Sequence, residues 1–239
     1  MSAKNKKLVV VTGGTKGIGK SIIECFASKR AFDIVTCARN KEELDSLSSE
    51  ISNKYDCNVF YKVCDLSIKE DCLSFAGYVL ALKMDVEILI NNTGTFIPGS
   101  MHDELDQNFE LMMNTNLNSA YYLTKPLVSQ MKKRKSGSVF NICSTASIMA
   151  YPNGGSYCIS KFALYGLTKV LREELKEYGI KVTAVLPGAT LTSSWDGVDL
   201  PPERFMKPED VASAILNTYE MSDNSVVEEI LIRPQLGDI

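Results

Sequence analysis

The sequence contains one histidine, His102, and none of its seven cysteines form a CxxC pair. The usual zinc ligand sets draw on histidine and closely spaced cysteine, so they cannot be assembled here in their familiar spacings. The cysteines (Cys25, Cys37, Cys57, Cys64, Cys72, Cys143 and Cys158) are odd in number and dispersed. They read as free, mostly buried thiols of a reducing compartment rather than as a disulfide framework. Positive charge is not in excess. The formal net charge of −3 offers no overall basic field for nucleic acid. No apolar run approaches the length of a membrane span. After the basic start, the run Leu8–Val11 is too short for a signal-peptide core. Linkers and low-complexity tracts are also missing. The expectation is a soluble, cytoplasmic protein with neither a nucleic-acid nor a membrane partner.

What is present is an alternation. The chain has 239 residues, 45% of them hydrophobic, which is enough for one large core. Short runs rich in valine and isoleucine occur at Leu8–Val11, Ile34–Val35, Val86–Ile90, Val139–Ile142 and Val182–Leu186. Such runs suit strands covered on both faces. Between them lie helix-length stretches, including Ile18–Arg30, Lys41–Asn53 and Ser156–Tyr178. Strand-then-helix alternation predicts an α/β fold with a doubly wound parallel sheet and right-handed crossovers. In Ser156–Tyr178 the apolar residues Ile159, Phe162, Ala163, Gly166, Leu167, Val170 and Leu171 recur at helical steps, and Gly179 marks the stop. The basic run Lys132–Lys135 closes a long helix before Gly137, where cations complement the helix dipole. Pro126, inside that helix, is expected to kink it.

The first strand runs directly into Thr12-Gly13-Gly14-Thr15-Lys16-Gly17-Ile18-Gly19. Glycines allow a sharp turn and a close approach of backbone amides to a pyrophosphate, and the helix that follows points its N-terminus at the same charge. Thr15, Lys16, Ile18 and Gly19, with Gly13, are therefore candidate cofactor contacts. A dinucleotide fold that prefers NAD tends to place an acid about twenty residues further on, against the ribose 2′-hydroxyl. The second strand here ends Cys37-Ala38-Arg39-Asn40, with an arginine and no acid. A guanidinium can hold a 2′-phosphate that a carboxylate would repel. Arg39 and Lys16 together predict NADP(H).

Tyr157-Cys158-Ile159-Ser160-Lys161 places a phenol and an ammonium at i and i+4, on one face of a helix. A neighbouring cation favours phenolate and is expected to lower a pKa that starts near about 10. Tyr157 could then give a proton to a nascent alkoxide, or take one in reverse. Ser144, thirteen residues before Tyr157, would hydrogen-bond and orient a substrate carbonyl. His102, among Ser100, Asp103 and Glu104, reads as a surface residue. Trp195, the single tryptophan, either caps a pocket or anchors its loop.

The TGxxxGxG loop, Asn91-Asn92-Thr93-Gly94, YxxSK and Pro187-Gly188-Ala189-Thr190-Leu191-Thr192, in this order, resemble the short-chain dehydrogenase/reductase family. The resemblance implies a single Rossmann domain over residues 1–239 with about seven strands and a substrate loop near 189–206. It assigns Asp65 and Leu66 to the adenine side, although Asp65 also reads as a helix N-cap. It assigns Asn92 to the cofactor, with Thr93 departing from the family's alanine. Asn116 matches the family's helix asparagine, which bends its helix and holds a water leading to the lysine; Asn114 is a nearby competitor. Pro187, Gly188 and Thr192 would hold the nicotinamide carboxamide, with Thr190 the weaker candidate. A homodimer or homotetramer is implied, through the helix after Asn116 and the Tyr157 helix. The stretches MKPEDVA and VVEEIxxRPxxGDI look like bacterial sepiapterin reductase-like members of the family. A carbonyl reductase acting on sepiapterin or a related dicarbonyl is the leading expectation. The alternatives are a 3-oxoacyl-acyl-carrier-protein reductase and a silent NADPH-sensing or scaffold protein.

Overall fold

The computed structural model describes residues 6–195 and 197–239. Seven strands form one sheet: β1 (Lys7–Thr12), β2 (Phe32–Ala38), β3 (Val59–Val63), β4 (Val86–Asn91), β5 (Gly137–Ile142), β6 (Ile180–Pro187) and β7 (Glu229–Ile232). Their order is β3-β2-β1-β4-β5-β6-β7, and every pairing is parallel. The order reverses direction between β1 and β4, so the crossovers after them leave on opposite sides and open a crevice there, the place where open α/β sheets bind ligands. This is the Rossmann architecture expected from the alternation of strand and helix.

Side-chain alternation along β1 shows why both faces must be covered. Val9 and Val11 enter a core with Ile22, Ile23 and Phe26 of α1 (Gly17–Ser28) and Leu47 and Ile51 of α2 (Lys41–Lys54). Val211 and Ile215 of α7 (Pro208–Tyr219) complete that layer. Leu8 and Val10 point the other way, towards Phe75 and Val79 of α3 (Lys69–Ala81) and Leu123 and Leu127 of α5 (Ser119–Arg134). Period-two alternation between two apolar layers accounts for the continuous apolar runs. The remaining helices are α4 (Asp106–Met113) and α6 (Gly155–Leu175).

One local expectation changes. The stripe Ile159, Phe162 and Val170 on α6 does not face the core; these side chains are 42%, 44% and 52% exposed. The buried face of α6 carries Ser156, Cys158, Ser160, Lys161, Leu164 and Thr168 instead. Helical period identifies a helix, but not which of its stripes is covered. As expected, the helix before β5 closes on the basic run ahead of Gly137, with Lys135 at its end in a left-handed conformation (φ 54°). The helix α5 runs unbroken through Pro126, and a π turn at Asn114–Asn118 lies upstream. All seven cysteines are free, and His102 is exposed beside Asp103. Among the described residues no helix is long and apolar enough to cross a membrane.

Phe26 is fully buried and meets Phe32 and Tyr219 edge-on, with ring centroids 5.5 and 6.1 Å away. It joins α1, the start of β2 and α7. Phe26→Ala should destabilise the protein by about 3–5 kcal/mol in guanidinium chloride unfolding. A loss below about 1 kcal/mol would mean that this cluster does not hold the α1 layer in place.

Candidate active site

β1 ends at Thr12, whose buried hydroxyl oxygen accepts the N–H groups of Asn92 and Thr93, each at 2.9 Å. The Asn92 amide in turn donates to the carbonyls of Thr12 (2.8 Å) and Gly13 (3.0 Å). These bonds tie the ends of β1 and β4 together beneath the glycine turn. Asn92 is thus a brace for that turn, and its amide nitrogen is already engaged. Thr12 is a site residue that sequence reading left as a mere motif position. The sidedness of its hydroxyl is a property of the β1–β4 pairing.

Gly13 and Gly17 have φ of +65° and +52°, conformations that L side chains rarely adopt. At Gly19 a Cβ would sit 2.3 Å from the Gly13 carbonyl oxygen and 2.5 Å from the Asn92 amide nitrogen. The loop therefore leaves a backbone-lined cradle. α1 begins behind it with no side-chain cap on its N-terminal amides and no acid in its first turn. Uncapped N–H groups at a helix start, in a cleft, form an anion site. Gly13, Lys16, Ile18 and Gly19 of this cradle line a cleft of about 640 Å³. Such a volume lies in the range of small-molecule sites. The cradle fits a dinucleotide pyrophosphate.

Residues assigned to the adenosine end lie outside this cleft or at its corner. Thr15 lines a small neighbouring cavity with Lys20 and Glu43. Arg39 is exposed just beyond β2. Lys16 pairs with Glu43 at 2.7 Å. Asp65 accepts from the Ser67 amide (2.9 Å) and hydroxyl (2.8 Å), closing the turn after β3; α3 starts later, after Ile68. Its cap reading thus applies to a turn and not to the helix. The Leu66 side chain is buried in the core.

In the same cleft, Ser144 follows β5 and caps the short turn Thr145–Ser147 by accepting from the Ala146 amide at 3.1 Å. Tyr157 and Lys161 enter from the first turns of α6 and line the same cleft as Ser144. The structure thus brings Ser144, Tyr157 and Lys161 together. Asn116 sits in the π turn, where it accepts from the Thr95 amide at 2.7 Å and donates to the Thr95 carbonyl and the Ser160 hydroxyl. It fastens the chain after β4 to α6. Pro187, Gly188, Thr190 and Thr192 all border the cleft. The Thr190 hydroxyl is buried and bonded to the Gly188 carbonyl at 3.0 Å. Thr192 instead packs against the glycine loop, its Cγ2 close enough to obstruct any Cβ at Gly17.

The protonation states differ from the sequence-based expectation. Lys161 is 4% exposed, and its ammonium donates to the Ile142 carbonyl at 2.8 Å. Burial pulls its pKa down to about 8. Tyr157 is not held low by this cation. Burial pushes its phenol up, opposed by a hydrogen bond with Ser144. The Lys161 nitrogen lies 5.7 Å from the Tyr157 ring centroid, and its own desolvation weakens it as a charge source in the free protein.

The wall of the cleft is aromatic. Phe96 meets Tyr157 edge-on at 5.0 Å. Met149, Tyr151 and Trp195 continue that wall, and Trp195 leans on Phe205 at 5.1 Å. Trp195 therefore both borders the cleft and anchors its loop. Asp238 and Ile239 also reach the cleft, Asp238 held by Arg233. Phe96 and Tyr151 lie in the stretches Thr95–Ser100 and Met149–Ser156, where the sequence places substrate choice, whereas the approach of Asp238 to the same cleft is set by the fold. Among the described residues no cluster of histidine, cysteine, aspartate and glutamate could hold a metal ion.

A sequence profile of the family described as short chain dehydrogenase matches residues 7–200. The chain belongs to this family and is an oxidoreductase acting on CH–OH or carbonyl groups. It is 31% identical over 241 residues to a protein called sepiapterin reductase from Chlorobaculum tepidum, covering 98% of both chains. A metagenomic short-chain oxidoreductase solved with NADP is 28% identical, with a TM-score of 0.84, covering 96% of this chain and 97% of that one. An actinorhodin polyketide ketoreductase variant solved with NADPH is 25% identical, with a TM-score of 0.88 over 100% of both chains.

The buried lysine has a measurable consequence. Its pKa of about 8 lies below the unfolded value of about 10.4. Between these values the unfolded chain binds more protons than the folded one, so stability rises with pH across that window. Below it, both states are protonated and the cost of the buried charge is constant. Wild type should gain on Lys161→Met by on the order of 3 kcal/mol as pH rises through the window, measured by denaturant unfolding. A gap that does not change with pH would show that the ammonium is not desolvated.

Proposed function

We propose that this protein is an NADP(H)-dependent reductase of carbonyl groups, acting on sepiapterin or a related flat dicarbonyl. The observation that carries the reading is the convergence of Ser144, Tyr157 and Lys161 in one cleft with the glycine cradle. Gly13, Ile18, Gly19 and the uncapped amides of α1 would hold the pyrophosphate, with Thr15 beside them. Arg39 and Lys16 would meet the 2′-phosphate, Asp65 and Leu66 the adenine side, and Asn92, Pro187, Gly188, Thr190 and Thr192 the nicotinamide side. NADP(H), when bound, supplies the hydride or receives it.

The chain's own residues handle the proton. Ser144 Oγ would donate a hydrogen bond to the substrate oxygen and fix the carbonyl's direction. Tyr157 Oη would deliver its proton to the same oxygen as negative charge develops there. Burial keeps this phenol protonated in the free protein, which suits the reducing direction. Lys161 would stabilise the resulting phenolate, and Asn116 would keep α6 and the chain around Thr95 in register. Phe96, Tyr151 and Trp195 would receive a flat substrate face. The relative called sepiapterin reductase supports the pterin-like choice, and the ketoreductase likeness keeps 3-oxoacyl thioesters on the panel.

The test is NADPH oxidation with sepiapterin, diketones, quinones and a 3-oxoacyl thioester, alongside NADH. Turnover of dicarbonyls with NADPH is expected. Activity confined to the thioester would replace the substrate reading, and tight NADPH binding without turnover would mark a sensor. Tyr157→Phe should lower kcat by at least about a hundredfold, the scale of general acid catalysis, with the NADPH Kd little changed. Persisting activity would remove Tyr157 from the mechanism.

We also infer a homo-oligomer, a dimer or tetramer, joined through the exposed apolar faces of α5 and α6. Tyr121, Ile159, Phe162 and Val170 form the candidate contact. Light scattering on Phe162→Asp should show a smaller species than the wild type. An unchanged mass would place the interface elsewhere.

A further inference from the structure

The two cations at the adenosine corner of the cleft are not equivalent. Lys16 is engaged by Glu43 at 2.7 Å. Its ammonium holds the Glu43 carboxyl below the usual range, with the Thr15 hydroxyl adding to the effect. Glu43 is positioned by the start of α2, where the Asn40 side chain accepts the Glu43 N–H at 2.9 Å. The surroundings reinforce the negative side: Glu42 and Glu50 line the small cavity beside Thr15, and Lys20 is itself engaged by Glu50 at 2.8 Å. Arg39, immediately before Asn40, is exposed and forms no ion pair among the described residues.

We propose that Glu43 is a specificity-determining residue that restrains Lys16, so that Arg39 is the principal ligand of the cofactor's 2′-phosphate. The inference rests on the NADP(H) reading above. A phosphate monoester brings close to two negative charges, and Lys16 can meet it only by leaving or sharing a carboxylate. Arg39 needs no such exchange, and its planar fork binds phosphate through two parallel bonds. Because the Lys16–Glu43 pair is partly exposed, solvent screens it, and the effect of releasing it is limited to about three- to sixfold in affinity.

The experiment measures Kd by calorimetry for NADPH, NADH and 2′,5′-ADP at about 0.1 M salt. The proteins are wild type, Glu43→Gln, Lys16→Ala, Arg39→Ala and the Glu43→Gln/Lys16→Ala double variant. Glu43→Gln should bind NADPH and 2′,5′-ADP about three- to sixfold more tightly, with NADH unchanged. That gain should vanish in the double variant. Arg39→Ala should lose more NADPH affinity than Lys16→Ala. The proposal is overturned if Glu43→Gln leaves NADPH binding unchanged or weakens it, if the gain survives without Lys16, or if Lys16→Ala is the more damaging change. A wild type that binds NADPH no more tightly than NADH would instead sink the NADP(H) reading, and this proposal with it.

Discussion

Seven parallel strands must all end on the same edge of the sheet, and every group of the site hangs from that edge. β1 ends in the glycine turn, β4 in the Asn92 brace, β5 at Ser144 and β6 at Pro187 and Gly188. Parallel pairing requires a long crossover after each strand, which puts helices on both faces and leaves the strand ends uncovered. Where the order reverses between β1 and β4, adjacent crossovers leave in opposite directions and the edge opens. The cleft follows from topology, and the residues then decide what it binds.

Within that frame, α6 is held by polar contacts as much as by apolar ones. The Asn91 amide donates to Thr124 and to the Asn141 carbonyl oxygen, and the Asn141 amide donates to Thr168, at 2.8–2.9 Å. This buried ladder links β4, β5, α5 and α6. The Lys161 ammonium adds a fourth rung to Ile142 at 2.8 Å. Apart from the Asn91 side-chain oxygen, which is buried without a hydrogen-bond partner among the described residues, the ladder is satisfied, and such a network specifies one arrangement sharply. The cost is a desolvated charge, visible in the lysine's lowered pKa. The same burial that orients Lys161 therefore makes it a weaker field for Tyr157 in the free protein, which the i, i+4 spacing alone could not reveal.

Much of the fold was legible because it depends on local period and on composition. Val9 and Val10 each had to find a covered face, and their run carried that information. α1, α2 and α6 were recognisable from their spacing and from stops such as Gly179, whose φ is +66°. The apolar stripe of α6 was misleading for a physical reason. A helix can bury a polar face when neighbouring elements supply partners, and Ser160 and Thr168 have such partners in Asn116 of the π turn and Asn141 of β5. A π turn at Asn114–Asn118, upstream of Pro126, holds Asn116 against Thr95.

The sequence by itself determined the alternation of strands and helices, the positive-φ glycines of the first turn, and the i, i+4 pairing of Tyr157 with Lys161. Each of these is set by residues within a few positions of one another. Only the tertiary structure decided that Asn92 braces the glycine turn, that Thr192 packs against Gly17, and that Phe96, Tyr151, Trp195 and Asp238 share one cleft. It also decided that Lys16 meets Glu43. These contacts join residues far apart in the chain through the register of the sheet. Their chemistry was present in the residue types, but their geometry existed only once the strands were paired.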